Sequence, residues 1–397
     1  MAYKDVTYNT PKRSEFLAFN KYSFDENEKK AVINVLESDW ITTGPKTKEF
    51  EKLFSEYIGS KHAIALNSCT AGLHIALVAH DIKEGDEVIV PDITFTSTAN
   101  IVIHAGATPI IADVNPDTMN ISIDDIKKKI TPRTKAIIPV HLYGQPCDMD
   151  SINQIARENN LLVIEDAAHA TEAWYKNQKI GNISQVTAFS FYATKNLSTA
   201  EGGMITTNDD ALADKLRILS LHGLSKDAWK RYSNEGYKHY DVVLPGYKYN
   251  MTDIQSALGI EQLKKLKGFS ILRNEHKNLY DSLLKDVEEI EFIKEIDHIV
   301  HARHLYIIKL KTDKLTVSRD QFMDLMIAQN IGVSVHFIPL HKHSYYRNTF
   351  NLKDSDFPVA NQASDSLLSL PFYPKLSKDD IEYVCTKIKE IIAVVKK

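Results

Sequence analysis

The stretch NLLVIEDAAHA, residues 160–170, runs four apolar residues into two carboxylates and then into small residues. A short apolar run with a polar boundary reads as a strand buried on both faces, the kind that parallel sheets use. The carboxylate at its end, Asp166, cannot stay buried and charged alone. It holds a metal, orients a histidine, pairs with a protonated ring nitrogen, or N-caps the next helix. The pattern recurs on either side. HAIAL (62–66), EVIVP (87–91), TPIIADV (108–114), KAIIPVHLY (135–143) and VTAFSFY (186–192) read as further strands. TAGLHIALVAH (70–80), TSTANIVIHAG (96–106) and SINQIARENN (151–160) carry helical spacing between them. This alternation predicts an α/β fold with a mainly parallel sheet covered on both faces. Ligands on such sheets sit beyond the carboxyl ends of the strands. Those ends are residues 67–71, 92–95, 141–144, 166–169 and 190–195.

Past residue 203 the texture changes. A helix is expected over 209–220, then a polar and aromatic segment over 224–245, long enough to be functional or interface-forming. MTDIQSALGIEQLKKL (251–266) opens like an N-capped helix and continues into a long connecting one. Strands are expected at 304–310 and 332–337, and a last helix at 379–395. The organisation predicted is a large domain with an N-terminal arm over 1–260 and a smaller α+β domain over 261–397.

Composition limits the function. The 397 residues carry 48 basic and 52 acidic side chains, a net charge of −4, so no strong single-sign field is available for nucleic acid or a membrane surface. Cys69, Cys147 and Cys385 are too few and too scattered for a disulfide framework or a CxxC zinc site, and a reducing cytosol is expected. The N-terminus lacks the apolar core of a signal peptide, and the longest uncharged stretch, residues 93–112, is interrupted by polar residues.

Three further features carry chemistry. Lys195 follows a strand in FSFYATKNLSTAEGG (189–203); a lysine there can be a Schiff-base nucleophile or a phosphate clamp if its pKa is lowered, or simply a solvated lysine. NSCTAG (67–72) joins a strand to a helix N-terminus and is a plain βα turn or a phosphate cradle. Cys69, within it, reads as a packing residue. His336, His341 and His343 cluster in VSVHFIPLHKHSYY without zinc-site spacing, so no metal is expected and a polar substrate wall is the better reading.

Taken in order, WITTGPKTKEFE (40–51), NSCTAGLHIAL (67–77), VPDITFTSTAN (90–100), EDAAHA (165–170), FSFYATKNLSTAEGG (189–203), PGYKYNMTDIQSALG (245–259) and VHFIPLH…YYR…LSLPFYP (335–374) make the chain similar to the DegT/DnrJ/EryC1/StrS family of sugar-nucleotide aminotransferases. The resemblance implies the aspartate aminotransferase fold, fold type I, with a seven-stranded sheet and pyridoxal 5′-phosphate (PLP) as cofactor, alternating with its amino form, PMP. It implies Asp166 on the pyridinium nitrogen, His169 beside the ring and Phe95 stacked on its face. Ser190 and the backbone of Cys69, Thr70 and Ala71 are implied at the phosphate, and Lys195 as covalent anchor and proton carrier. Relatives that act as sugar dehydratases have histidine at that lysine. Many relatives read GYN with an arginine two residues on; here Lys248 holds the asparagine position and Asn250 the arginine position, so the cross-subunit phosphate contact falls to that pair. The expected substrates are L-glutamate and a nucleotide-linked deoxyketosugar, UDP- or dTDP-linked, with C4 favoured over C3. The expected assembly is a cytoplasmic homodimer whose sites lie at the subunit interface, serving lipopolysaccharide, capsule or other glycans. Thr43, Gly44, His336, His341 and Tyr346 are expected to line the sugar site. The alternatives are another fold type I enzyme, such as a lyase or aldolase, and a PLP-binding sensor without catalysis.

Overall fold

The computed structural model describes residues 10–225 and 240–397. After helices α1 (Glu26–Leu36) and α2 (Pro45–Ile58), strands and helices alternate. They are β1 (His62–Leu66), α3 (Cys69–Ala79), β2 (Glu87–Pro91), α4 (Ser97–His104), β3 (Thr108–Ala112), α5 (Ile123–Lys129), β4 (Thr134–Ile137), α6 (Met149–Asn159) and β5 (Leu162–Asp166). The short pair β6 (Trp174–Tyr175) and β7 (Gln178–Lys179) precedes β8 (Val186–Ser190), β9 (Gly203–Thr207) and α7 (Asp210–Ser220). The seven-stranded sheet has the order β1-β9-β8-β5-β4-β2-β3, and only β9 runs antiparallel to its neighbours.

Alternating side chains fill both faces. Ile64, Val88, Val90 and Ile164 enter one core with α3, α4 and α7. Ala63, Ile89 and Val163 enter the other with Phe50 and Phe54 of α2, α6 and α8 (Asp253–Leu284). Several expected strands shorten, two of them most. β4 stops at Ile137, two residues before Pro139, which has no N–H for the ladder. The strand expected at 332–337 is an extended segment with one bridge, Ser334 to Ser369.

The C-terminal part adds β10 (Ile290–Phe292), β11 (Ile299–Val300), β12 (Tyr306–Leu310), α9 (Arg319–Ala328), α10 (Ser344–Thr349), α11 (Pro358–Ser364), β13 (Leu367–Leu370) and α12 (Lys378–Val395). Strands β10, β12 and β13 form an antiparallel sheet whose core includes Tyr280 and Leu284 of α8, α9, α12 and Leu17 from the N-terminal segment. The 32-residue α8, opened by a capping box at Thr252 and Gln255, runs through residue 260, where the large domain was expected to end. The two cores are therefore joined by a helix. Residues 226–239 of the expected interface segment lie outside the described residues. Among the described residues no helix is long and apolar enough to cross a membrane.

Candidate active site

Strand β5 delivers Asp166 to the edge of the sheet, 4% exposed. Its Oδ2 accepts the Thr98 hydroxyl at 3.0 Å, and its Oδ1 accepts the Ala168 N–H at 3.1 Å. Thr98 Oγ1 also lies 2.8 Å from Thr94 Oγ1. Burial raises the Asp166 pKa, while the Ala168 N–H, Thr98 and Lys195 oppose it. A carboxylate so placed is held rigidly and is short of positive charge.

Strand β8 ends at Ser190, and the chain turns through a Lys195 N–H to Tyr192 carbonyl bond of 2.8 Å. The turn puts the Lys195 amine in a buried position, where desolvation pulls its pKa down to about 8, against the opposing pull of Cys69 and Asp166. Among the described residues its Nζ forms no hydrogen bond or ion pair. A lysine in this state keeps a neutral fraction of about a tenth at pH 7, far above that of an ordinary lysine, and is a competent nucleophile and base. Cys69 points its Sγ at Asp166 Oδ1, 3.8 Å away, and burial drives its thiol pKa well up, so it is a packing residue as expected.

Helix α3 begins at Cys69. Its N-cap, Ser68, accepts the Ala71 N–H at 3.1 Å. That corrects one expectation: the Ala71 donor is already engaged, which leaves the N–H groups of Cys69 and Thr70 for an anion. Gly203 of β9 packs against this turn so closely that a Cβ there would sit 2.4 Å from the Ser68 carbonyl carbon. Ser190, 7% exposed, closes the same corner and accepts the Tyr192 N–H at 3.4 Å.

His169 is buried, and its Nδ1 accepts the Tyr143 N–H at 3.2 Å. Tyr143 takes a left-handed φ of 61° to make that contact. Gly144 follows at φ 99°, where a Cβ would lie 2.9 Å from the His169 carbonyl oxygen. Burial, then Lys195 and His336, push the His169 pKa well down. Phe337 stacks on His169 at 5.9 Å and touches Phe95 at 5.9 Å. Phe95 itself is 59% exposed, an aromatic face open at the rim. His336 lies in the same wall, stacked on Phe19 at 5.3 Å and 2.8 Å from Ser369 Oγ; burial pulls its pKa to about 4.

The remaining expected residues fall elsewhere. His341 is fully buried, with Nδ1 on the carboxylate of Asp92 and its ring stacked on Phe357, so it does not line a sugar site. Tyr346 is 3% exposed and donates to Asn100 Oδ1 at 2.6 Å and to the Thr96 carbonyl at 3.1 Å, tying α10 to α4. Gly44 gives its N–H to Asp253 Oδ1 at 2.7 Å, because Asp253 caps α2. It serves the fold, with a Cβ excluded 2.2 Å from Trp40. Lys248 donates to Asn250 Oδ1 at 2.7 Å, and Asn250 donates to Thr43 Oγ1 at 2.6 Å. Thr43 and Asn250 line a groove of about 430 Å³ with Trp40, Lys48 and Arg217. Apart from His341 and Tyr346, the structure thus gathers the expected residues into two sets: one around Lys195, the other at this outer groove.

Thr98, Tyr143, Asn196, His304 and Phe337 belong to the first set and were not singled out from sequence. Thr98 lies in a quoted motif, three residues past Phe95. Asn196 and Phe337 also lie in quoted motifs and Tyr143 at a quoted strand end, while nothing local marks His304.

The residues suit PLP. An amine with a lowered pKa, a fixed buried carboxylate, free N–H groups at a helix start and an open aromatic face meet the needs of an aldehyde, a ring nitrogen, a phosphate and a ring plane.

The comparisons agree with this geometry. The model of the DegT/DnrJ/EryC1/StrS aminotransferase family matches residues 23–389. An uncharacterized protein of Methanocaldococcus jannaschii is 50% identical over 381 residues, covering 96% of this chain and 99% of that protein. The spore coat polysaccharide biosynthesis protein SpsC of Bacillus subtilis is 47% identical over 382 residues, covering 96% and 98%. The putative sugar aminotransferase Spr1654 of Streptococcus pneumoniae, solved in its PLP form, superposes with a TM-score of 0.89 at 32% identity, covering 96% of this chain and 99% of that one. It is also known in a PMP form.

Proposed function

The chain belongs to the DegT/DnrJ/EryC1/StrS aminotransferase family, and from that footing we propose its substrates: L-glutamate as amino donor and a nucleotide-linked deoxyketosugar as acceptor, aminated at C4 in preference to C3. The protein is a sugar aminotransferase of fold type I with PLP as its cofactor. The observation that carries the assignment of roles is the buried Lys195 amine, brought to about 8 beside the buried Asp166.

PLP, when bound, supplies the electron sink that makes the substrate Cα–H bond breakable. The protein does the rest. Asp166 keeps its negative charge for the ring nitrogen, since Thr98 and Ala168 supply donors only. The N–H groups of Cys69 and Thr70, with Ser190, hold the phosphate. Lys195 Nζ, in its neutral form, would anchor the cofactor and would serve as the base and acid that moves the proton at the donor's Cα. Phe95 would offer its open face to the ring, and the buried His169 would stand beside it.

The outer groove supports a homodimer. Lys248, Asn250 and Thr43 are joined to one another at the outer groove, and by the family resemblance we assign the Lys248 and Asn250 pair to the phosphate of a neighbouring subunit's site. SpsC's name concerns spore coat polysaccharide, and we infer a cytoplasmic role in building a glycan or polysaccharide, lipopolysaccharide among them.

The test is a panel of UDP- and dTDP-linked 3- and 4-ketosugars with glutamate. The expected result is 2-oxoglutarate with a C4-aminated product by NMR. Pyruvate or glycine as product would assign a lyase or aldolase instead, and amination at C3 would overturn the preferred position.

A further inference from the structure

Asn196, next to Lys195 in sequence, has a fully occupied side chain. Its Nδ2 donates to Glu172 Oε2 at 3.0 Å and to the Ala302 carbonyl at 2.8 Å. Both amide hydrogens meet acceptors, which turns Oδ1 toward His304 Nδ1, 3.1 Å away. An amide oxygen only accepts, so His304 carries its proton on Nδ1. In His169 the reverse holds. Its Nδ1 accepts a backbone N–H, so the neutral ring carries its proton on Nε2. The two rings lie 4.4 Å apart between centroids, tilted by 42°. Burial drives both imidazoles well below their ordinary pKa, so both are neutral at physiological pH.

His304 comes from the C-terminal half and is clamped in place. Its N–H donates to the Tyr143 carbonyl at 3.0 Å, and the Ala302 N–H donates to the Gly144 carbonyl at 2.8 Å. Arg273 Nη1 donates to the carbonyls of Arg303 at 3.1 Å and His304 at 3.2 Å.

We propose that Asn196 and His304 are positioning residues for the chemistry at Lys195: Asn196 fixes the tautomer of His304, and the His304 ring backs His169 and steadies the turn that carries Lys195. Two neutral, differently protonated rings add no charge beside Lys195, which leaves Asp166 facing the amine, His336 in the wall, and Glu172, raised to about 7, with Arg273 behind Asn196. A tilt of His304 moves His169 against the cofactor plane, and small misplacements of this kind cost large factors in rate. The inference rests on the assignment of Lys195 as the anchor.

The experiment has two arms. In cofactor-free protein labelled with 15N-histidine, NMR is expected to find the His304 ring, assigned by its loss in the variant below and distinct from His341 on Asp92, protonated at Nδ1 alone. The His304→Gln variant removes that signal, and Asn196→Ala turns it into a tautomer mixture. In the loaded enzyme, His304→Leu is expected to change the proton affinity of the Lys195 linkage by roughly tenfold, read from the pH titration of the absorption band. It also lowers kcat about tenfold with little change in KM for the amino donor. His304→Gln, which still offers Asn196 a donor, returns both toward wild type. A wild-type His304 protonated at Nε2 overturns the proposal. So does a His304→Leu enzyme that only melts earlier, with band titration and kcat unmoved. If wild type shows no such band, the anchor assignment fails, and the tautomer arm still decides this inference.

Discussion

The hydroxyl of Thr98 donates to Oδ2 of Asp166 at 3.0 Å, across 68 residues of sequence. It is the one side-chain hydroxyl on that carboxylate among the described residues. Thr98→Val keeps the shape and removes the donor. A hydrogen bond to a charged group contributes about 1.5–3 kcal/mol, so cofactor affinity is expected to weaken roughly tenfold, by fluorescence titration. Unchanged affinity would remove Asp166 from the cofactor's binding energy.

Lys195 makes a pH prediction for the cofactor-free protein. Its pKa falls from 10.5 unfolded to about 8 folded. Between those values the unfolded chain binds more protons, so stability rises with pH. Below about 8 the folded state bears the full penalty, at most about 3 kcal/mol at 1.36 kcal/mol per unit. Lys195→Met is therefore expected to be the more stable protein at pH 7 in urea unfolding, with the gain shrinking above pH 8. A gain that does not shrink as pH rises would contradict the buried-amine reading.

Asp92 and His341 form a buried pair, both 0% exposed. Burial raises the Asp92 pKa and His341 opposes it. Removing one partner of such a pair costs about 3–5 kcal/mol, because the other stays buried alone. Asp92→Asn is expected to lose that much, and Asp92→Asn with His341→Phe to lose less. Additive losses in the double-mutant cycle would mean the pair is uncoupled.

The outer groove gives a test that needs no structure of the assembly. Lys195→Ala chains mixed with Asn250→Ala chains form hybrids. If Asn250 serves the neighbouring site, each hybrid retains one intact site, and mixing restores activity that neither parent has. No recovery on mixing would place Asn250 in its own chain's site.

Legibility in the sequence followed the range of the interaction. The strands could be read because each apolar run reports its own burial, and Asp166 and Lys195 could be read because each follows such a run. The resemblance added the roles. His304 could not be found this way. It stands at the start of an apolar strand, and its partner Asn196 is 108 residues away. His341 misled for the opposite reason: a polar residue in a histidine cluster read as part of a substrate wall, and only the fold reveals Asp92 opposite it. Thr98 was within reach, since a threonine in the first turn of the helix that follows Asp92 lies at the same ends of the strands.

Helix α8 carries a consequence for how this chain can vary. At 1.5 Å per residue its 32 residues span about 48 Å without a break. Asp253 at one end caps α2, Arg273 holds the carbonyls of residues 303 and 304 partway along, and Tyr280 anchors the far core. One inserted residue after Asp253 would turn everything beyond it by about 100° and carry the guanidinium off its three acceptors. The spacing from 253 to 280 is therefore a fixed gauge. Length changes are tolerable in surface connections but excluded from this rod.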